Sequence, residues 1–242
     1  MAQIPSDQPM LGSPRANGHE VLIEREIKNL RTMILAEAAA AIGMVEQASE
    51  ALISLDEDSA RNVIGRDDEI DREEVLIEEE CFRILALYHP FAKDFRVITT
   101  FVKVNADVER VADHATSVAK AAIKLKKLSV RRMPTALVEL AQRVPILCRA
   151  VLNLLASEDA TDARELVSKD KAIDNLVKQL FEECVSMMTA ERDSKAAGLR
   201  MYRCGRELER IGDLMKNIAE DLIYLQSGTI VRHEKRRAHQ AD

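Results

Sequence analysis

CGRELERIGDLMKNIAED, from Cys204 to Asp221, decides the fold, because VNADVERVADHATSVAKAA, from Val104 to Ala122, carries the same pattern one hundred residues earlier. Glu109, Arg110 and Asp113 return as Glu209, Arg210 and Asp213. The apolar seam returns in register: Val108, Val111, Ala115, Val118, Ala122 and Leu125 become Leu208, Ile211, Met215, Ile218, Leu222 and Leu225. Steps of three and four residues specify an amphipathic helix. On that period the carboxylates fall off the seam, so each copy presents Glu and Asp one turn apart on an outer face.

The repeat extends outward. SLDEDSARNVIGRDDEID, Ser54 to Asp71, answers SEDATDARELVSKDKAID, Ser157 to Asp174, which pairs Asp67 with Asp170 and Asp71 with Asp174. Each half therefore brings two acidic pairs spaced i, i+4, on its second and third helices. The reading is an all-α chain of two tandem, internally duplicated three-helix bundles with six long helices.

Residues 1–18 hold Pro5, Pro9, Pro14, Gly12 and Gly18 without helical period and predict a disordered tail. Residues 19–130 form the first bundle and 131–228 the second, with 229–242 as a basic C-terminal tail. From His19 the first helix follows Ile23, Ile27, Leu30, Ile34, Ala38, Ala41 and onward. Asp56 or Asp58 caps the second helix, which runs through Tyr88 and stops before Pro90. Pro90 opens the third helix, to about Leu128, and Pro134 the fourth, to about Ala156. Pro145 should kink or break the fourth helix. Asp159 and Ser194 cap the fifth and sixth, and Gly228 closes the last.

Composition removes several classes of function. A formal net charge of -6, 3% aromatic residues and no Trp leave no basic or stacking platform for nucleic acid. No apolar run reaches the ~20 residues of a transmembrane segment. Four cysteines without a Cys-x-x-Cys pair, and no signal peptide, predict core thiols and a cytoplasmic setting. None of the five histidines forms a Glu-x-x-His pair, and no phosphate-binding glycine loop or nucleophile elbow occurs. His114, whose counterpart is Leu214, reads as a partly buried or surface histidine rather than a ligand.

The acidic pairs are the candidate site. One isolated pair is usually solvated surface, whereas four cost about 0.2 to 0.5 kcal/mol each in like-charge repulsion. Asp67 and Asp170 moreover fall on the apolar seams of their helices, where a carboxylate needs a partner. Arg110 and Arg210 could supply it through interhelical salt bridges. A hard cation such as Mg, Ca, Mn or oxidised iron could supply it instead.

Together, ELERIGD at Glu207 to Asp213, NIAEDLIYLQSG at Asn217 to Gly228, IDREEVLIE at Ile70 to Glu78 and HPFAKDFRVI at His89 to Ile98 resemble the PhoU family of phosphate-signalling regulators. The resemblance covers about residues 19 to 233. It implies a non-enzymatic cytoplasmic protein that represses the phosphate-starvation response and limits phosphate uptake. It implies coupling between the ATPase subunit of a phosphate ABC transporter and the phosphate-sensing histidine kinase, and a homodimer. It also implies iron or zinc clusters, or another divalent cation such as Mg or Mn, held by Asp67, Asp71, Glu109, Asp113, Asp170, Asp174, Glu209 and Asp213. In the first copy Ala112 stands where the second has Gly212, so the first site is expected to be the less open one. Alternative readings are a helical scaffold or adaptor without a regulatory ligand, and a carboxylate-bridged metalloenzyme.

Overall fold

A computed structural model describes residues 14–128, 130, 132–157, 163–190 and 194–228, with side chains from Glu20 onward except those of 164, 165 and 167–170. The described residues form helices only: α1 Pro14–Ser54, α2 Glu57–Gly65, α3 Asp67–Tyr88, α4 Ala92–Lys127, α5 Thr135–Ser157, α6 Ala163–Ala190 and α7 Lys195–Ser227. These are the six long helices read from the sequence, with the second interrupted once.

That interruption has a local cause. Gly65 is a poor helix former, and the acidic run Asp67, Asp68, Glu69 favours a helix N-terminus, where backbone N–H groups are unpaired. At Arg66 the N–H donates to the Val63 carbonyl, closing α2, and the Arg66 carbonyl accepts from Glu69 and Ile70, opening α3. The break sets Asp67 in a first helical turn.

Of the two expected caps, Asp56 is the one used: it accepts from the backbone N–H groups of Asp58 and Ser59. Ser194 precedes α7 but makes no capping bond; its hydroxyl donates to the Met187 carbonyl at 2.7 Å. Asp159 lies outside the described residues. Gly228 ends α7 at φ 71°, donating to the Tyr224 carbonyl at 2.9 Å. α1 starts at Pro14, so residues 14–18 are helical rather than tail, and proline suits a first turn. α5 runs unbroken through Pro145, because Leu140, Val144, Leu147 and Cys148 are buried around it and tertiary packing carries the helix.

α1, α2/α3 and α4 pack together, as do α5, α6 and α7. The two groups dock through α4 against α7 and α1 against α5, and one apolar core runs through both. Ala38, Ala41, Val108, Val111, Leu155 and Ile218, from α1, α4, α5 and α7, meet around one small apolar cavity in it. α4 and α7 run antiparallel: His114 meets Glu207, while Arg96 lies over the Tyr224 ring. An Arg31 guanidinium N–H donates to the Leu155 carbonyl at 2.9 Å, and Arg149 pairs with Glu46, tying α1 to α5. Among the described residues no helix is long and apolar enough to cross a membrane. The four thiols are free and buried; burial pushes Cys184 up to about 11 and Cys81 to about 12.

Candidate carboxylate faces

α1 and α5 bury the same positions. Ile34, Glu37, Ala38, Ala41, Met44, Val45, Ala48, Ala51 and Leu52 are matched by Leu137, Leu140, Ala141, Val144, Leu147, Cys148, Val151, Leu154 and Leu155. The alignment leaves one mismatch of character: Glu37 occupies the core position of Leu140. It is 3% exposed, and neither carboxylate oxygen has a hydrogen-bond partner.

Glu37 faces the first acidic set. Burial, then the charges of Glu74, Glu73 and Glu109, pushes its carboxyl up to about 8. Glu109 is raised to about 7 by burial and by Asp113, Asp71 and Glu74, with Arg110 opposing. Asp71 is raised by lost solvation, then by Asp67, Asp113 and Asp68. Each of these three carboxyls is raised by carboxylates on neighbouring turns or helices, so α1, α3 and α4 concentrate negative charge in one region. Asp67, half-buried, finds its partner in Thr116, whose hydroxyl donates to it at 2.9 Å. Asn105 donates to the Glu74 carbonyl at 2.9 Å, pinning α3 to α4 beside the set.

The second face is more nearly neutralised. Glu209 is raised first by burial, lowered by Arg206, then raised by Asp213 and Asp174. Arg206 is ion-paired with Glu209, although Oε2 of that carboxylate has no properly directed hydrogen bond. Asp170 lies on α6 with its side chain outside the described residues. Position by position the second face replaces four acids of the first, Leu140 for Glu37, Lys171 for Asp68, Leu176 for Glu73 and Val177 for Glu74, and adds a cation, Arg206, where the first has Ala106.

Two sequence expectations change, and the reading of His114 as a partly buried histidine holds. Arg110 and Arg210 are not seen to bridge to the acidic pairs; they reach back one turn on their own helices, to Asp107 and Glu207, each at 3.5 Å. That i, i+3 pairing is the shorter reach for an exposed side chain. Gly212 does not serve to open a ligand site: it is buried, and a Cβ there would stand 3.0 Å from Ile173 Cδ1, so it admits α6 to α7. His114 is 17% exposed and its Nδ1 lies 2.7 Å from Glu207 Oε2, linking the two halves. Glu37, Glu74 and Thr116 were missed because nothing in the α1 period shows which neighbours a core glutamate meets. The one available signal was a glutamate on the α1 seam one position before Ala38.

Among the described residues no three His, Cys, Asp or Glu side chains are arranged to hold a metal ion as they stand. The donor chemistry of the first face nevertheless fits a hard cation. Its groups are all carboxylate oxygens, and the two Glu37 oxygens are buried without a compensating donor.

An all-α bundle built from two copies of a three-helix unit, with acidic faces on its paired helices, defines the structural class of the chain. The family model described as PhoU domain matches residues 34–122 and 137–222, and the chain belongs to that family. It is 36% identical over 211 residues to the phosphate-specific transport system accessory protein PhoU homolog of Pseudomonas aeruginosa, covering 86% of each chain. It is 30% identical over 214 residues to the PhoU accessory protein of Escherichia coli, again over 86% of each. The crystal structure of PhoU from Pseudomonas aeruginosa superposes with TM-score 0.82 at 34% identity, over 85% of this chain and 99% of that one. The phosphate transport system regulatory protein PhoU from Streptococcus pneumoniae superposes with TM-score 0.79 at 27% identity, over 86% and 99%.

Proposed function

We propose that this chain is an accessory regulator of phosphate-specific transport that represses the phosphate-starvation response and limits phosphate uptake. It acts in the cytoplasm without turnover, by contact. Its partners are the ATPase subunit of a phosphate ABC transporter and the phosphate-sensing histidine kinase, and it works as a homodimer. The observation that carries this reading is family membership along both halves, with relatives named as phosphate-specific transport accessory proteins. Exposed apolar side chains on α3 and at the start of α4, among them Phe82 and Phe95, are available for such contacts. Deleting the gene should raise alkaline phosphatase and transporter expression in high phosphate. Expression that stays low after deletion would sink the regulator and favour a bare adaptor.

The acidic faces are proposed to take a hard divalent or trivalent cation, an iron or zinc cluster or Mg or Mn. Asp67, Asp71, Glu109 and Asp113 would hold it on the first face, with Glu37 and Glu74 behind them. Asp170, Asp174, Glu209 and Asp213 are the corresponding set on the second. Bound there, the cation would supply charge neutralisation; the chain's own carboxylates set how strongly that is needed. The richer acidity of the first face and its unpartnered Glu37 make it the tighter of the two. Elemental analysis of gently purified protein tests this: the Glu109→Gln, Asp113→Asn variant should lose most of the metal. Metal absent from the natural sequence, or unchanged in that variant, would leave the faces as solvated charge.

A further inference from the structure

At one end of the α4/α7 contact, beginning about one helical turn beyond Asp113 on α4 and just before Glu209 on α7, the charge pattern reverses. Lys120 and Lys124 from α4 and Arg200 and Arg203 from α7 line one groove of about 330 Å³, with Ser117 and Glu207 at its sides. None of the four cations makes an ion pair among the described residues, whereas Arg61, Arg83, Arg143, Arg149, Arg206 and Arg210 all do. Arg200 is half-buried, and its Nε is enclosed without an acceptor. An enclosed guanidinium N–H left unbonded costs stability unless something arrives to accept it. Glu207 is the one carboxylate on the groove, and it is engaged by His114 at 2.7 Å.

The internal repeat supplies a comparison within the same molecule. The same α4/α7 crossing occurs at the other end, where Lys120, Lys124, Arg200 and Arg203 are answered by Glu220, Tyr224, Thr100 and Lys103. There Lys103 sits 5.8 Å from the Tyr224 ring centroid, and it is the single cation among the four equivalent positions. The basic set is therefore not required for packing the two helices. Its concentration on a chain of net charge -6 is a local feature of one end.

We propose that this groove binds a small anion carrying two or three linked phosphate groups. Two guanidinium groups offer paired N–H donors matched to phosphate oxygens, and two ammonium groups add point charges around them. Four positive charges are neutralised by a di- or triphosphate and poorly by a single orthophosphate. A volume near the lower end of ligand sites, with one arginine sunk into it, suits a small molecule better than a lipid surface or a duplex. The affinity is salt-dependent, because three of the four cations are exposed.

The test uses the full chain at low ionic strength, after chelator treatment to empty the acidic faces. Calorimetric titration with orthophosphate, pyrophosphate, tripolyphosphate, ATP and sulfate should give saturable 1:1 binding for pyrophosphate or tripolyphosphate. Orthophosphate and sulfate should bind weakly. ATP binding as well as free tripolyphosphate would identify a nucleotide as a source of the ligand; ATP binding more weakly would identify free oligophosphate. Exchanging the exposed pair Lys124→Gln and Arg203→Gln should weaken binding by about tenfold or more at unchanged melting midpoint. Arg96→Gln with Lys103→Gln, at the other crossing, should leave it unchanged. No saturable binding of any of these anions, equal loss in both double variants, or binding to phosphatidylserine vesicles alone would overturn the proposal. The result is independent of the regulator reading, since derepression on deletion does not depend on which anion binds in vitro.

Discussion

Glu37 is a carboxylate in a core position, and its consequences are set by burial. In the unfolded chain its carboxyl titrates near 4.5, and in the folded protein near 8, held there by burial and by Glu74, Glu73 and Glu109. Between those values the folded state keeps a proton that the unfolded state has released. Stability of the metal-free protein therefore falls as pH rises from about 4.5 to about 8 and levels off above, by an amount on the order of a few kcal/mol. Glu109, raised to about 7 by burial and by Asp113 and Asp71, adds to the same slope. Replacing Glu37→Gln should flatten most of that dependence, as read by urea unfolding at pH 5, 6.5 and 8. A slope unchanged in the variant would show that Glu37 is ionised at little cost. In protein loaded with Mn or Mg the slope should also shrink, since a cation stabilises the charged forms.

Glycine positions separate packing from propensity at the scale of helices. At Gly205, on the face α7 turns to α6, a Cβ would stand 2.1 Å from Leu180 Cδ2 and 3.5 Å from Leu140 Cδ1. Gly205→Ala should cost roughly 1 to 3 kcal/mol through overpacking, offset in part by about 1 kcal/mol of gained helix propensity. At Gly65, between α2 and α3, a Cβ meets nothing within 4 Å, and the backbone φ is not positive. Gly65→Ala should stabilise by about 0.4 to 1 kcal/mol. Thermal melting of the two variants should move in opposite directions. If both move up, α6 and α7 are farther apart than their contacts indicate.

For the molecule as a whole, the shared core decides cooperativity. α4 packs on α7 and α1 on α5, so neither three-helix group can unfold without exposing the apolar face of the other. Heat should therefore unfold the metal-free chain in one transition whose calorimetric and van't Hoff enthalpies agree. Two resolved transitions would mean that the halves are independent units. The His114–Glu207 link across that contact is short and half-buried. His114→Leu, which installs the residue of the second copy, should change the melting midpoint by no more than a few degrees, because Leu214 shows that an apolar side chain fits its equivalent position.

The helical class, the duplication and the six long helices were legible in the sequence. They depend on local period and on a repeat in register, which are properties of the chain written out in one dimension. Gly228 and Asp56 were legible for the same reason, since a cap is a contact among neighbours. The interruption at Arg66 was not, because its signals, one glycine and an acidic run, are weak against a continuous apolar seam. What only the tertiary structure decided is which charges meet. Glu37 is separated from Glu74 and Glu109 by whole helices, and only the packing of α1 on α3 and α4 brings their fields together. The same packing gave Asp67 to Thr116 and left Arg110 and Arg210 on their own helices. It also gathered Lys120, Lys124, Arg200 and Arg203 into one groove from positions some eighty residues apart. Helical period determines which face a residue occupies, but the energy of a charge depends on distance and burial, and both are set by the neighbouring helix.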